Sequence, residues 1–200
     1  LSYRLRAQTW HHSRPLRYVG VDFSAAALHA AQAATKDALQ QVDKLFSGRI
    51  SGPTPVTEHW VLGRSVETLP FADHSFDRIV ANLSLSFARS PLHALRELFR
   101  ILRPGGKLIV SAFTPAADMA RLYRPSLQEL GIDAFTGDPR LVLNRMAQCC
   151  VALRIGQLHT FEEDTLNARL SQITSVPARL VRAFSGQILL AAAEKPDSSS

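Results

Sequence analysis

Residues 69–87 read "LPFADHSFDRIVANLSLSF". It opens with the proline and polar residues of a turn, and "FDRIVANL" (76–83) then has the apolar and β-branched content of a buried strand. A core strand does not need an amide near its far end, yet Asn82 stands there. In an open parallel sheet, ligands bind beyond the carboxyl ends of the strands. We therefore expect Asn82 to lie at a ligand-binding edge.

Strands and helices alternate on both sides of this stretch. The other predicted strands up to residue 113 are "LRYVGVD" (16–22), "TEHWVLG" (57–63) and "KLIVSAF" (107–113). One helix is predicted from a cap at Ser24 to about Phe46, and another follows the Ser90-Pro91 start and ends at "RPGG" (103–106). This order predicts an α/β fold with a doubly wound, mostly parallel sheet and helices on both faces.

The C-terminal half has weaker signals. Helices are predicted over 116–130, 139–153 and 160–173. The segments "ARLVRAF" (178–184) and "GQILLAAAE" (186–194) predict an antiparallel strand pair at the end of the chain. No internal repeat or linker is visible, so residues 1–195 are predicted to form one domain. Residues 196–200 are predicted to be a disordered tail.

The composition excludes several classes of protein. With 46% hydrophobic and 20% charged residues among 200, the chain has the makeup of an ordinary globular domain. No apolar run of about 18 residues occurs, so we expect no membrane span. The net charge of +6 comes from arginines spread along the chain rather than from a stripe with interleaved aromatic residues. We therefore expect solvated basic faces and no nucleic-acid partner.

Cysteine and histidine usage argues against disulfides and metals. The two cysteines, Cys149 and Cys150, are adjacent in a predicted helix, which suits neither a disulfide nor a zinc site. We interpret them as buried small residues of a reducing compartment, and expect a cytoplasmic protein. The seven histidines are scattered without ligand spacing, so no metal site is predicted. They are His11, His12, His29, His59, His74, His93 and His159.

Four segments in this order resemble the class I S-adenosylmethionine-dependent methyltransferases, in the small-molecule branch that includes enzymes of quinone and biotin biosynthesis. The segments are "VGVDFS" (19–24), "VETLPFADHSFDRIVANLSLSF" (66–87), "PLHALRELFRILRPGG" (91–106) and "KLIVSAF" (107–113). The resemblance implies a Rossmann-like methyltransferase fold and S-adenosylmethionine as cofactor. The implied reaction is an SN2 methyl transfer to a small-molecule acceptor.

The resemblance implies a cofactor role for the residues after two of the strands. Asp22 would accept hydrogen bonds from the ribose hydroxyls, as a carboxylate at a strand end is able to do. Its alternative role is helix capping, although Ser24 is already placed to cap. Phe23 would cover one face of the adenine, or is an ordinary core aromatic. Ser65 stands where the family usually has an acid that accepts a hydrogen bond from the adenine amino group. With serine there, the resemblance implies that this contact is weaker, altered or made through water. Val66 would offer its backbone N–H to the adenine ring.

Asn82 and Leu83 would lie beside the sulfonium and the methionine part of the cofactor. The Asn82 amide would hold either the ligand or the loop backbone, and the two readings are equally open. Glu67 is expected to support its loop. Because Ser84 and Ser86 stand where relatives often carry a histidine or an aromatic residue, no general base is predicted, and the catalytic residues stay unassigned.

The chain departs from the family at its beginning, because it contains no glycine-rich loop of the kind that binds the methionine moiety. We therefore expect residues 1–200 to be the C-terminal portion of a longer methyltransferase whose first strand is missing here. We also expect this piece alone to bind S-adenosylmethionine poorly, and micromolar affinity in calorimetry would contradict that expectation.

The acceptor, its methylated atom and the oligomeric state are not predicted. The helical segment 116–158 is expected to choose the acceptor, with four residues that either line its site or simply pack or face solvent: Phe113, Tyr123, Phe135 and Arg140. Two other functions stay open. A methyltransferase-like domain without catalysis would bind another protein. An NAD-dependent dehydrogenase would also use Asp22 on a ribose, but the chain has no Tyr-x-x-x-Lys pair.

Overall fold

The computed structural model describes residues 16–46, 56–118, 121 and 139–197. Side chains are described for these residues except 16, 37–46, 56, 139–143, 145 and 146. The chain divides into two compact units, Leu1–Ser65 and Val66–Ser200. The prediction that residues 1–195 form one domain stays a prediction. Outside the described residues lie most of the predicted 116–130 helix, Tyr123, Phe135 and the Arg140 side chain.

The first unit is a βαβ arrangement. Its elements are β1 (Leu16–Asp22), α1 (Ala25–Phe46) and β2 (Val56–Leu62). The strands pair in parallel with unbroken register from Leu16 opposite Val56 to Asp22 opposite Leu62. α1 begins where predicted because the Ser24 hydroxyl accepts the N–H of Ala27 at 3.2 Å, which satisfies one of the otherwise unpaired donors of the first turn.

Gly20 allows the two strands of the first unit to pack closely. A Cβ at Gly20 would lie 2.5 Å from two ring atoms of Trp60 on β2, so no larger residue fits without displacing the indole. The edge of Trp60 meets the Tyr18 ring at a centroid distance of 5.6 Å. This glycine therefore serves the packing of β1 against the Trp60 side chain of β2.

The second unit contains a four-stranded sheet with the order β3-β4-β6-β5. Its elements are β3 (Phe76–Ala81), α2 (Ser84–Phe87), α3 (Pro91–Ile101), β4 (Leu102–Phe113), α4 (Pro139–Arg154), α5 (Glu163–Ser171), β5 (Arg179–Ala183) and β6 (Ile188–Glu194). β3 and β4 are parallel, whereas β6 is antiparallel to both β4 and β5. The predicted C-terminal antiparallel pair is confirmed. Among the described pairings, two are parallel and two antiparallel.

Helices cover both faces of this sheet. Alternate residues of β4, such as Leu108 and Val110, are buried in one core cluster together with residues of α3 and α5. Phe113 has the opposite parity and belongs to a second cluster, against which Cys149 and Leu153 of α4 pack. The described part of the second unit is thus doubly covered, as the alternation of strands and helices predicted.

The "RPGG" segment forms a bulge inside β4 rather than a turn before it. Leu102 is opposite Phe76 and Lys107 is opposite Arg78, so five residue steps on β4 face two on β3. Gly105 has φ 67°, a left-handed conformation that favours glycine. A Cβ at Gly106 would lie 2.7 Å from the carbonyl oxygen of Arg103. The predicted strand 107–113 therefore begins five residues earlier.

Candidate functional site

The carboxyl end of β3 is held by a short hydrogen-bond chain. β3 ends at Ala81 because Leu83 has φ 55°, which turns the backbone out of the strand. The N–H of Leu83 donates to the Ser111 hydroxyl at 2.8 Å. That hydroxyl in turn donates to Oδ1 of Asn82 at 2.6 Å. These two hydrogen bonds join the ends of β3 and β4 and fix the segment that follows β3.

This arrangement bears on the two readings of Asn82. Its oxygen is used to hold the loop through Ser111. Its side-chain nitrogen makes no hydrogen bond to the residues that the structure describes, and the residue is exposed. One half of the amide is therefore structural, and the NH₂ half is available as a donor to a ligand. A ligand role for Asn82 and Leu83 stays a prediction.

Ser86 joins the same loop to its surroundings. It is fully buried, and its hydroxyl accepts the N–H of Phe113 at 3.1 Å. Its carbonyl oxygen accepts the N–H of His159 at 2.9 Å. A buried hydroxyl with this partner has a structural role. That no general base stands at this position stays a prediction.

His159 is the residue at this end that the sequence analysis missed. Besides the bond to Ser86, the segment is fixed by a parallel bridge between Thr160 and Phe113 and by a 2.8 Å bond from the N–H of Phe161 to the carbonyl of Phe113. The His159 side chain is exposed, and its ring lies 6.5 Å from that of Phe161. No local pattern marks it, because bonds to residues far away in the sequence bring it here.

Asp22 and its neighbours belong to the first unit. Oδ1 of Asp22 accepts the N–H of Ser24 at 2.8 Å, which is the capping-type contact considered as its alternative role. The other carboxylate oxygen makes no hydrogen bond within the described part of the chain. Phe23 is 67% exposed, so its reading as a core aromatic is wrong. Ser65 is half-buried at the end of this unit.

The residues after Ser65 support the second unit. Val66 is half-buried and packs against the main core cluster. An oxygen of Glu67 accepts the N–H of Ser90 at 2.6 Å, just before α3. The expected loop-supporting role of Glu67 is confirmed. The predicted cofactor-binding residues form two groups: Asp22, Phe23 and Ser65 in the first unit, and Val66, Asn82 and Leu83 in the second. That both groups bind one ligand stays a prediction.

The two acids of the opening stretch lie at the other end of β3, where they form ion pairs. Arg100 of α3 donates to Asp73 at 2.6 Å, and Arg103 donates to Asp77 at 2.9 Å. These aspartates therefore hold the turn before β3 to the end of α3 and the start of β4. Of the three acids and amides of the stretch, only Asn82 stands at the carboxyl end.

Glu97 is the centre of this amino-end cluster. It accepts the N–H of Leu69 at 2.8 Å and two hydrogen bonds from the Arg100 guanidinium. These bonds from Arg100 hold the pKa of Glu97 below its usual range, against the opposing effect of burial. The same contact, with that of Asp73, raises the pKa of Arg100.

Lys195, the residue after β6, caps the carboxyl end of α3. Its Nζ donates to the carbonyl oxygens of Phe99 at 2.5 Å and Leu102 at 2.8 Å, at the carboxyl end of α3. A cation at this end satisfies unpaired carbonyls and matches the helix dipole. Burial lowers the pKa of Lys195, which the nearby Asp73 partly opposes.

Three further expectations concern cysteines, metals and membrane spans. Cys149 and Cys150 are unbridged and half-buried, and burial raises the pKa of the Cys149 thiol. Within the described residues, no group of three or more potential ligands is placed to hold a metal ion. Among the helices described, none is long and apolar enough to cross a membrane.

Comparison with known proteins assigns the family. The model of the methyltransferase domain family matches residues 5–110, more than half of the chain, and the chain belongs to this family. A ubiquinone/menaquinone biosynthesis C-methyltransferase of Roseobacter denitrificans is 39% identical over 70 residues, 35% of this chain and 25% of that protein. A malonyl-[acyl-carrier protein] O-methyltransferase of Erwinia pyrifoliae is 49% identical over 49 residues, 24% of this chain and 19% of that protein.

A solved structure extends the likeness to the fold. A SAM-dependent methyltransferase of Methanosarcina mazei superposes with a TM-score of 0.55 at 18% identity, and covers 99% of this chain and 88% of that one. The fold is thus the Rossmann-like α/β fold of these methyltransferases. The matched part of the chain spans a quarter or less of the two curated relatives' length.

Proposed function

We propose that the protein transfers a methyl group from S-adenosylmethionine to a small-molecule acceptor. The observation that carries the proposal is the family match over residues 5–110. That range contains Asp22 and the Asn82 loop, which supports a ligand role for both. Both curated relatives described above are methyltransferases by name, acting in quinone biosynthesis and on a carrier-bound malonyl group.

In each unit, polar groups are suited to hydrogen bonds with a part of S-adenosylmethionine. Asp22 keeps one carboxylate oxygen for a ribose hydroxyl while the other holds the Ser24 N–H. The Asn82 NH₂ group and the backbone N–H of Val66 are suited to acceptor atoms of the ligand. S-adenosylmethionine supplies a sulfonium methyl that is transferred as an electrophile. The residues of the protein align the acceptor with that methyl and exclude water.

We propose a cytoplasmic location, because two cysteines among 200 residues match the sparse cysteine usage of a reducing compartment. The acceptor is proposed only as a small organic molecule, because the chain matches a minor part of each named relative.

The test uses the natural protein at its full encoded length, with tritiated-methyl S-adenosylmethionine and the small-molecule fraction of a cell extract. We expect label to enter an extract component, and none after heat inactivation. Binding of S-adenosylhomocysteine without any transfer would contradict the proposal and favour a non-catalytic binding domain.

A pair of variants tests the role of Asp22. Asp22→Asn keeps an oxygen for the Ser24 N–H but removes the charge that a ribose contact uses. Because a hydrogen bond to a charged group contributes about 1.5–3 kcal/mol, we expect the Kd for S-adenosylhomocysteine to rise at least about tenfold in calorimetry. Asp77→Asn, at the ion pair with Arg103, is the matched control and should leave the Kd unchanged. Equal affinities for the two variants would contradict the assignment.

A further inference from the structure

Methyl transfer to a protonated acceptor requires a destination for a proton. The acceptor atom donates an electron pair to the methyl carbon, the carbon–sulfur bond breaks with its electrons on sulfur, and the acceptor proton leaves. A positioned side chain that takes this proton contributes typically about 10²–10⁴-fold to the rate. This inference rests on the proposed function, and asks which residue of the second unit is placed for the task.

Most polar side chains at the carboxyl end of β3 and β4 are unsuited to accept a proton. Ser86 is buried and bonded to the Phe113 N–H. The Ser111 hydroxyl is used between Leu83 and Asn82, and an amide such as that of Asn82 is not a base at neutral pH. The hydroxyl of Thr114 is buried and donates to the Gly186 carbonyl.

His159 differs from these residues in having a fixed backbone and an open side chain. Its N–H is bonded to the Ser86 carbonyl of α2, the short helix that follows β3, and its neighbour Thr160 bridges Phe113 at the end of β4. The segment is thus attached to α2 and to the end of β4. The imidazole is exposed and has no hydrogen bond to the described residues. A ring presented in this way keeps its nitrogens for a ligand.

The other described histidines of the second unit are placed differently. His74 lies at the amino end, with Nδ1 3.3 Å from both the Leu102 carbonyl oxygen and Lys195 Nζ. His93 is exposed beside Glu97 on the outer surface of α3, in a groove of about 440 Å³. Neither is bonded to the loop that holds Asn82. Within the described residues, the carboxyl end therefore has one imidazole.

We propose that His159 is the general base of the reaction. Its neutral imidazole takes the proton of the acceptor O–H, N–H or C–H as the bond to the methyl carbon forms. The resulting imidazolium returns the proton to water after the products leave. The base thus comes from the segment before α5, and not from the loop after β3, where Ser84 and Ser86 stand.

The experiment compares His159→Gln with His93→Gln in the full-length natural protein. Both replace an exposed histidine with a neutral side chain. With labelled S-adenosylmethionine and the extract fraction, we expect His159→Gln to lower kcat about 100-fold or more and His93→Gln to leave it unchanged. The affinity for S-adenosylhomocysteine, measured by calorimetry, should be the same in both variants. Added imidazole should restore part of the activity of His159→Ala, which loss of a structural contact would not allow.

The possible results separate this inference from the proposed function. Transfer by the wild type with His159→Gln within twofold of it overturns the base assignment and leaves the function standing. A rate loss that imidazole does not restore, together with weakened S-adenosylhomocysteine binding, also overturns it, since His159 would then be structural. Absence of transfer by the wild type overturns both.

Discussion

The two ends of the strand pair β3 and β4 use their polar residues in different ways. At the amino end, charged side chains are paired: Arg100 with Asp73 and Glu97, and Arg103 with Asp77. At the carboxyl end, the contacts are between neutral groups, with Ser111 between Leu83 and Asn82 and the Ser86 hydroxyl on the Phe113 N–H. At the amino end, the charged side chains stabilise the fold by pairing with one another. At the carboxyl end, the Asn82 NH₂ group and the His159 ring make no hydrogen bond to the described residues.

The difference shows that acidic residues near a strand do not by themselves indicate a ligand site. Asp73 and Asp77 neutralise arginines that arrive from α3 and the bulge of β4. The neutral end is held by the Ser111 and Ser86 hydroxyls and by backbone hydrogen bonds. Within the described residues, these bonds leave the Asn82 NH₂ group and the His159 ring open to a ligand. A binding site needs a backbone held in place and polar side-chain groups that are not already hydrogen-bonded. The carboxyl end of the second unit has both, since its loop is hydrogen-bonded and the Asn82 NH₂ group and the His159 ring are not bonded to described residues.

Loss of the central carboxylate of the amino end should have the largest effect on stability. Glu97→Ala leaves the Leu69 N–H without its acceptor and removes two of the hydrogen bonds of the half-buried Arg100, which keeps Asp73. We expect the free energy of unfolding to fall by about 2–3 kcal/mol. Chemical denaturation with urea measures the change. Asp77→Ala, whose pair with Arg103 is mostly exposed, is the control and should cost less than about 1 kcal/mol.

The comparison would fail if Glu97→Ala also weakened binding of S-adenosylhomocysteine to the folded protein. Unchanged affinity below the denaturation midpoint is the expected result. It would mean that the amino end contributes to the fold alone.

Loosening the carboxyl end should have a smaller effect on stability. Ser86→Ala removes the acceptor of the buried Phe113 N–H. Because one neutral hydrogen bond is lost rather than three bonds to a charged group, we expect a cost of about 1–2 kcal/mol, in the lower part of the range for an unsatisfied buried donor. The backbone bond from His159 to the Ser86 carbonyl does not need the hydroxyl and should persist. Denaturation of Ser86→Ala beside Ser90→Ala, an exposed serine with no side-chain cap bond, isolates the buried contact. Equal stability of the two variants would show that the hydroxyl is dispensable.

Acid should weaken the amino end. Arg100 lowers the pKa of Glu97 in the folded protein, so this carboxylate stabilises the fold above its unfolded pKa, and the contribution is lost as the pH falls through the folded value. We expect the loss to be smaller than that of Glu97→Ala, because a protonated carboxyl still forms hydrogen bonds. Urea denaturation across acidic pH should give a flatter profile for Glu97→Gln than for the wild type. Parallel profiles would contradict the assignment.

The sequence predicted most of the described elements because their signals are local. Apolar periodicity, Ser24 as a cap and proline after Ser90 place the helices and strands within a few residues. The exceptions have non-local causes. β4 begins early because the Pro-Gly-Gly bulge still pairs with β3. α5 begins at Glu163 rather than residue 160 because Thr160 is bridged to Phe113.

The candidate site was only partly predictable for the same reason. Asn82 follows a strand, and its position alone was enough to predict that it lies at the carboxyl end of the sheet. Its ligand role stays a prediction. His159 was not singled out, because 46 residues separate it from Phe113 and its place depends on backbone bonds to Ser86. The ion pairs of Asp73 and Asp77 span 27 and 26 residues, and no spacing rule connects such partners.

The central claim is that the carboxyl end of β3 and β4 binds the ligand and the amino end does not. Titration of the isotope-labelled full-length protein with S-adenosylhomocysteine, followed by amide chemical shifts, tests it most directly. We expect large changes in the amide chemical shifts of Asn82, Leu83 and Ser111, and no change in those of Asp73 and Asp77. Shifts centred on the two aspartates, with the Asn82 loop unchanged at saturation, would contradict it.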